Sequence, residues 1–519
     1  MTQTQVILFA ESKRMLNNFR DKFLLEIVVF TSGALVMIYE IIGSRILAPY
    51  IGTSTYVWTS LIGVILASLS LGYWLGGKMA DRKPDLRVLS VVMFAGAALL
   101  SVTVLLHAFV LSLISVSNLG LELKSIVAAL ILFAPASVLF GFVTPYAVRL
   151  KMLRIEDAGK TVGRLYALST VGSILGTFSA GFVLLPFVGS VRTLYLLTAI
   201  LFVLSLLLAP FKLSTTNVFI ILLLPSAILL NEIFAYSLSK NYDLHDFDTE
   251  YSRIQVFNST DSLTGKPIRV FATDPRSTQS AMFLDSDDLV SRYARFYHLL
   301  RHFKPDFQNT LIIGGAGYSF PKEYLRVYPT KKMDVVEIDS QVTEIARRLF
   351  RLPDNPDLQI FHEDGRVFLN KIEAKKYDVI LIDAFGSLYS IPFQLTTREA
   401  VKQIDKGLAN DGAVIMNLIS AIEGEGSLFL QAEYKTYAEI FPQVLVFKVN
   451  AEKPDNVSQN LILLASKSAK IFFETSDAEI SALFKNLYDK SVNASVPALT
   501  DDLAPVEYYN SRALKTTEK

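Results

Sequence analysis

Long uninterrupted apolar stretches crowd the first half of the chain and then stop. Before about residue 240, seven segments approach the ~20 residues a helix needs to cross a bilayer. They run from Leu24 to Ile42, Val57 to Leu75, Val88 to Leu111, Ile126 to Val148, Leu165 to Val188, Leu194 to Leu208 and Val218 to Phe234. The first is not expected to be a cleaved signal peptide, because its apolar part is long and further spans follow. Gly172, Ser173, Gly176, Ser179 and Gly181 recur inside the fifth, which predicts close helix approach without side-chain bulk. Beyond this point the texture changes. SRIQVF and PIRVFA, separated by the turn-rich STDSLTGK, predict a β-hairpin. Short apolar runs then begin at Leu311, Asp334, Leu358, Asp378 and Ala413, each suited to a strand buried on both faces. Helical patterns over PKEYLRVYP and VTEIARRLF lie between them, which is βαβ spacing. The predicted organisation is a multi-pass α-helical membrane bundle over residues 1–240 and an α/β Rossmann-like domain, opened by the hairpin, over residues 241–519. The stretch from Asp477 to Ser495 and the TTEK tail read as solvated periphery.

Composition supports the lipid bilayer as one partner, since mean hydropathy is +0.38. With 50 Lys and Arg against 49 Asp and Glu, the net charge of +1 gives no support to nucleic-acid binding. The absence of cysteine excludes disulfides and thiolate catalysis. His298 and His302 are four apart but lack a third ligand, so no metal is expected. Local charge sets orientation. Lys13, Arg14, Arg20 and Lys22 precede the first span, Lys78, Arg82, Lys83 and Arg87 follow the second, and Arg149, Lys151, Arg154, Lys160 and Arg164 follow the fourth. The alternate loops carry only Arg45, Lys124 and Arg192, so the N-terminus is expected in the cytoplasm, with the chain in the cytoplasmic membrane. Seven crossings would carry the second domain outward. The last segment, interrupted by Pro225 and ending in Asn231 and Glu232, is therefore expected to be re-entrant or interfacial, leaving the second domain cytoplasmic.

In an open α/β sheet the chemistry belongs at the carboxyl ends of the strands. The first predicted strand ends in Gly314-Gly315-Ala316-Gly317, small residues that let backbone amides approach a ligand. The second ends in Glu337-Ile338-Asp339, where a carboxylate can accept both hydrogen bonds of a ribose diol. The third is followed by Glu363-Asp364-Gly365, placed to accept from an adenine amino group, and the fourth by Asp383-Ala384-Phe385-Gly386-Ser387, which offers a carboxylate to the reacting side. Four such tips together predict an adenosine-containing ligand. Tyr293, Phe296 and Tyr297 share a helix face and suit either packing or the site.

LIIGGAGYSFPKEYL, DVVEID, HEDGRVFL, YDVILIDAFGS and RYARFYHLL together resemble, in order and spacing, the motifs of the spermidine synthases, whose domain is related to the class I methyltransferases. With GRLYALSTVGSILGTFSAGFVLLP and SIPFQLTTREA, the whole chain looks like the membrane-fused spermidine-synthase-like proteins. The resemblance implies that Glu337 holds the ribose, Asp364 and Gly365 the adenine, and Gly314, Gly315 and Gly317 the sulfonium chain. It implies that Asp383, bordering the ligand, removes a proton from the attacking amine with help from Tyr297. Its implied reaction moves an aminopropyl group from decarboxylated S-adenosylmethionine to an amine and releases methylthioadenosine, without a metal, in a homodimer. Three acids of the family pattern are replaced here, by Gly317, Gly386 and Leu299. Those acids suit a polycationic acceptor, so other readings stay open: an S-adenosylmethionine-dependent methyltransferase, a lyase of the same ligand, or a non-catalytic adenosyl sensor coupled to a transporter-like bundle.

Overall fold

The computed structural model of the protein describes residues 3–152, 154–209, 214–273, 278–384 and 391–517. The chain forms two compact units, residues 1–238 and 239–519. In the first, helices α1 (Gln3–Ile51), α2 (Thr55–Arg82), α3 (Leu86–Ser115), α4 (Leu121–Leu132), α5 (Ala134–Lys151) and α6 (Ala158–Ser179) follow one another. A π-helical turn links α6 to the short α7 (Leu185–Phe187), before α8 (Ser190–Leu208) and α9 (Thr215–Tyr242). Among the described residues, six helices are long and apolar enough to cross a membrane, or seven if α4 and α5 form one span. Those two meet at a 55° bend. Pro135 supplies no amide to continue the α4 ladder, so the chain breaks there. The Leu132 carbonyl at the break is satisfied instead by the Tyr39 hydroxyl at 2.8 Å and by Thr103 Oγ1 at 3.1 Å.

The segment expected to be interrupted at Pro225 is one continuous helix, α9, with the proline inside it. Antiparallel α3 and α8 pair Ser90 with Ser205 near one end, where Ser90 Oγ donates to the Ser205 carbonyl at 2.7 Å. Asn231 of α9 donates to the carbonyl of Val104, farther along α3, and to Tyr195 near the start of α8. The helix therefore runs from the Ser205 end toward the other end of the bundle. The basic segments collect at one end: Glu26 pairs with Lys151 and Arg164, and Tyr146 donates to the Lys83 carbonyl.

The predicted small-residue contact is present where α6 crosses α1. A methyl group built on Gly176 would lie 2.5 Å from the carbonyl oxygen of Ala34, so a side chain there must push two backbones apart. Overpacking of this kind costs about 1–3 kcal/mol. Gly176→Val is expected to lower the thermal midpoint of the detergent-solubilised protein by several degrees, whereas Gly63→Ala, with open space around it, should leave it unchanged.

In the second unit the expected hairpin is the centre of a four-stranded antiparallel sheet in the order β1-β2-β3-β4: His245–Asp248, Arg253–Thr260, Pro267–Ala272 and Ser280–Phe283. After two short helical turns, α10 (Arg292–Arg295) and α11 (Leu300–Phe303), come β5 (Asn309–Ile313), α12 (Ser319–Val327), β6 (Lys332–Val336), α13 (Ser340–Leu349), β7 (Leu358–Phe361), α14 (Gly365–Lys371) and β8 (Tyr377–Ile382). Then follow α15 (Arg398–Gly407), β9 (Leu408–Ser420), α16 (Leu428–Ala438), β10 (Gln443–Lys448) and β11 (Gln459–Ser466). The seven-stranded sheet has the order β10-β11-β9-β8-β5-β6-β7. Strands β5 to β9 are parallel and β10 and β11 antiparallel, a doubly wound, Rossmann-like arrangement. Residues 311, 313, 380 and 382 pack on one face and 312, 379 and 381 on the other, as fully covered parallel strands require. The stretch after Asp477 is not periphery. It carries a helix, Ala478–Phe484, whose Ile480 and Leu483 join the core, and whose cap Asp477 accepts from Arg301 at 2.8 Å.

Candidate active site

The chain leaves β5 in one direction and returns through β8 on the other side, so the order of strands reverses between these two. That switch point opens a crevice at their carboxyl ends. A cavity of about 300 Å³ lies there, walled by Gly314, Gly315 and Ala316 after β5, Glu337 and Asp339 after β6, Asp364 and Gly365 after β7, and Asp383 and Ala384 after β8. Tyr251, Thr273, Gln279, Tyr293 and Gln394 supply further polar groups to its lining. Six of the eight sequence-predicted residues thus share one cavity: Gly314, Gly315, Glu337, Asp364, Gly365 and Asp383. Gly317 and Tyr297 do not line it. Phe385, Gly386 and Ser387 lie outside the described residues.

Each carboxylate is held differently. Glu337 is buried and accepts from three backbone amides, Gly315 at 2.9 Å, Ala316 at 3.3 Å and Asp339 at 3.0 Å. Burial raises its pKa and the three amides oppose that rise. Oε2 takes the Gly315 and Ala316 amides and Oε1 that of Asp339, so Oε1 keeps a lone pair for a ribose hydroxyl. Asp364 caps α14 through the amides of Arg366 and Val367 at 2.8 and 3.0 Å, using one oxygen. Asp383 is pushed up to about 6 by burial, with Asn417, Tyr297 and Tyr293 lowering it in part. Asn417 Nδ2 donates to Asp383 Oδ1 at 3.3 Å and the Tyr293 hydroxyl to Oδ2 at 3.3 Å. Because Asn460 donates to Asn417 Oδ1 at 2.9 Å, the Asn417 amide has its NH2 turned toward the carboxylate.

The structure reverses the expected weight of the two tyrosines. Tyr293 stands on the cavity wall, while Tyr297 is fully buried behind it, edge-on to Tyr293 and Phe320 with centroids at 6.0 and 5.0 Å. Its hydroxyl is close enough to Asp383 to feel the charge but makes no hydrogen bond of acceptable geometry. Tyr297 therefore lies beneath the carboxylate rather than on the cavity wall, where its hydroxyl can act on Asp383 but not on a ligand directly. Gly317 meets the hairpin sheet: a methyl there would lie 2.7 Å from Ser280 Oγ, which itself bonds Ser319 Oγ at 2.7 Å. The space of a side chain at 317 is filled by this serine pair.

Asp339 was missed as a site residue. It caps α13 through one oxygen, accepting from Gln341 at 3.0 Å, while the other is buried without a partner at the cavity. The glycine turn is also braced from below. Ala316 and Tyr318 adopt φ of +44° and +52°, a conformation that costs a non-glycine residue about 1 kcal/mol or more. Tyr318 is retained there by its ring under Gly315 and its hydroxyl on Thr343 Oγ1 at 2.7 Å, which in turn meets His362 Nε2 at 2.9 Å. One chain of hydrogen bonds thereby joins the ends of β5 and β7 through α13. Thr343→Val keeps the volume and removes the bridge. It is expected to raise KM for the adenosyl substrate about tenfold with kcat nearly unchanged, as steady-state kinetics would show.

Comparison with known proteins agrees with this geometry. Residues 293–451 match the spermine/spermidine synthase domain. The polyamine aminopropyltransferase of Vibrio vulnificus is 29% identical over 240 residues, covering 46% of this chain and 77% of that protein. That of Clostridium perfringens is 27% identical over 225 residues, covering 41% and 73%. Among solved structures, a probable spermidine synthase from Corynebacterium glutamicum aligns over 52% of this chain and 94% of its own at 24% identity, with a TM-score of 0.40. The C-terminal unit is therefore similar to the spermidine-synthase-like proteins over residues 293–451, and this similarity supports a transferase.

Proposed function

We propose that the C-terminal unit transfers an aminopropyl group from decarboxylated S-adenosylmethionine to an amine and releases methylthioadenosine. The observation that carries this reading is the convergence of Glu337, Asp364 and Asp383 from three strand ends on one cavity beside the glycine turn. Glu337, with Asp339 beside it, would take the ribose hydroxyls, Asp364 the adenine amino group, and the turn the sulfonium chain. The sulfonium is already an activated leaving group, so the protein supplies alignment and a base. Asp383 is that base: it accepts the ammonium proton of the acceptor as nitrogen attacks the carbon next to sulfur and the carbon–sulfur bond breaks. Tyr293 and Asn417 hold it in place. The described wall beyond the adenosyl end is neutral, with Tyr251, Thr273, Gln279 and Gln394, which suits an acceptor with few charges better than a long polycation.

The test is incubation of the purified full-length protein with decarboxylated or intact S-adenosylmethionine, with and without putrescine or a monoamine, followed by mass spectrometry of all products. Methylthioadenosine with an aminopropylated amine is the expected result. S-adenosylhomocysteine, or methylthioadenosine from the intact ligand alone, would replace this reading by a methyltransferase or a lyase, and binding without product by a sensor.

The same proposal places the N-terminal unit in the cytoplasmic membrane with its Lys151 and Arg164 end inward. The catalytic unit would be cytoplasmic if α9, continuous through Pro225, does not cross the membrane, and outside if it does. Because the chain lacks cysteine, single cysteines at positions 154 and 240 can be probed with an impermeant thiol reagent in intact cells. Labelling of position 240 alone puts the catalytic unit outside; protection of both puts it in the cytoplasm.

A further inference from the structure

Across the Ser280–Ser319 hydrogen bond from the glycine turn lies a second cavity of about 300 Å³, lined in part by Ser319. Strand β4, the turn after it, the outer face of α12 and Arg351 form its wall, and its charged groups are Lys322, Arg326, Arg351, Glu323, Asp287 and Asp288. Sorting these by partner leaves an imbalance. Glu323 is taken up by Arg326 at 2.6 and 2.8 Å and lies 3.7 Å from His298. Asp288 meets only the Ser286 hydroxyl at 3.2 Å, and Asp287 lies a distant 3.9 Å from Arg351. Lys322, partly buried, donates to the Phe350 carbonyl at 2.6 Å and touches Met282 Sδ at 3.8 Å. Among the described residues no carboxylate stands within ion-pair distance of it. An ammonium withdrawn from water without a counter-charge is poorly stabilised, and an anion supplied from solution would correct that. Arg351 adds a second cation at the mouth. It is held there at φ +58°, with one guanidinium nitrogen on the Leu284 carbonyl at 2.7 Å, strain of the sort that clusters at ligand sites.

We propose that this cavity binds a small anionic ligand, a carboxylate or a phosphate, between Lys322 and Arg351. The site is independent of the reaction assigned to the first cavity. Its occupant would lie one hydrogen bond from Gly317, through Ser319 and Ser280.

Lys322 itself provides the readout. Burial pushes its pKa down to about 8, Asp287 opposing and Arg351 assisting, while the remaining charged groups of the wall are paired or more distant. At pH 8 its neutral, reactive fraction is then roughly 100-fold that of an ordinary lysine. The full-length protein would be treated at pH 8 with an amine-acylating reagent, and modification at Lys322 and at the exposed Lys402 followed by peptide mass spectrometry. Fast labelling at Lys322 that inorganic phosphate or succinate slows about fivefold or more, with Lys402 unaffected, supports the site. Protection by one of the two probes identifies the chemistry. Protection by neither overturns the proposal, and so does undiminished protection in Arg351→Gly, a variant that suits the positive φ and removes the second cation together with its bond to the Leu284 carbonyl and its contact with Asp287.

Discussion

Asp383→Asn should lower kcat by about 10²- to 10⁴-fold, the range for a lost general base, and leave Kd for the adenosyl substrate within a few-fold of the parent. The separation is expected because, in the proposed arrangement, Asp383 would face the reacting carbon while Glu337 and Asp364, from other strand ends of the same cavity, would hold the nucleoside. The substitution is nearly isosteric, and Asn417 and Tyr293 can rotate to meet an amide, so folding should survive; circular dichroism and unchanged ligand binding would verify that. The wild-type pH profile provides a second check. The folded-state pKa of Asp383 is raised to about 6, and the active form is the carboxylate. Activity is therefore full above that value and falls as pH drops through it, with kcat/KM losing about tenfold per unit below pH 6. In kcat the limb should move to lower pH, because a bound sulfonium favours the ionised carboxylate. A profile flat down to pH 5, or an Asp383→Asn enzyme retaining wild-type turnover, would remove Asp383 from the chemistry.

Glu337→Ala should act on binding instead. In the proposed arrangement it removes a charge-assisted hydrogen bond to the ribose, worth about 1.5–3 kcal/mol, and releases the amides of Gly315, Ala316 and Asp339, which shape the turn. A total near 3 kcal/mol corresponds to roughly 100-fold weaker binding of the adenosyl substrate. Isothermal titration with methylthioadenosine measures this directly without turnover. Glu337→Gln should recover part of the loss, since an amide oxygen can still accept from the turn. Equal affinity in all three proteins would mean that the ribose lies elsewhere, and Asp339, with its unpartnered oxygen, would be the residue to examine next.

What the sequence made legible follows from range. The parallel strands were readable because a strand covered on both faces must be apolar throughout, and Glu337, Asp364 and Asp383 because a strand tip of known position limits where its next residue can lie. Residues set by pairing between distant strands were not. Asn417 reaches Asp383 only because Ile382 pairs with Met416 in the parallel register of β8 and β9, a fact no local pattern encodes. The same holds for Tyr318, whose aromatic side chain in a glycine turn reads locally as unfavourable and makes sense only with Thr343 and His362 beneath it. Pro225 misled in the opposite direction. A proline in a helix interior usually breaks or kinks it, but α9 continues through Pro225.

Gly314 adopts φ +107°, and any side chain built on it would lie 2.5 Å from the main-chain oxygen of Asp383. The two strand tips at the switch point are thus in direct contact, with no side chain to act as a cushion. Substrate seating and proton removal cannot be tuned separately by changes at this point: displacing the turn to fit a bulkier donor would shift the base by a similar amount. Attempts to widen the range of donors would do better to begin at Gln394, which lines the cavity from a separate segment.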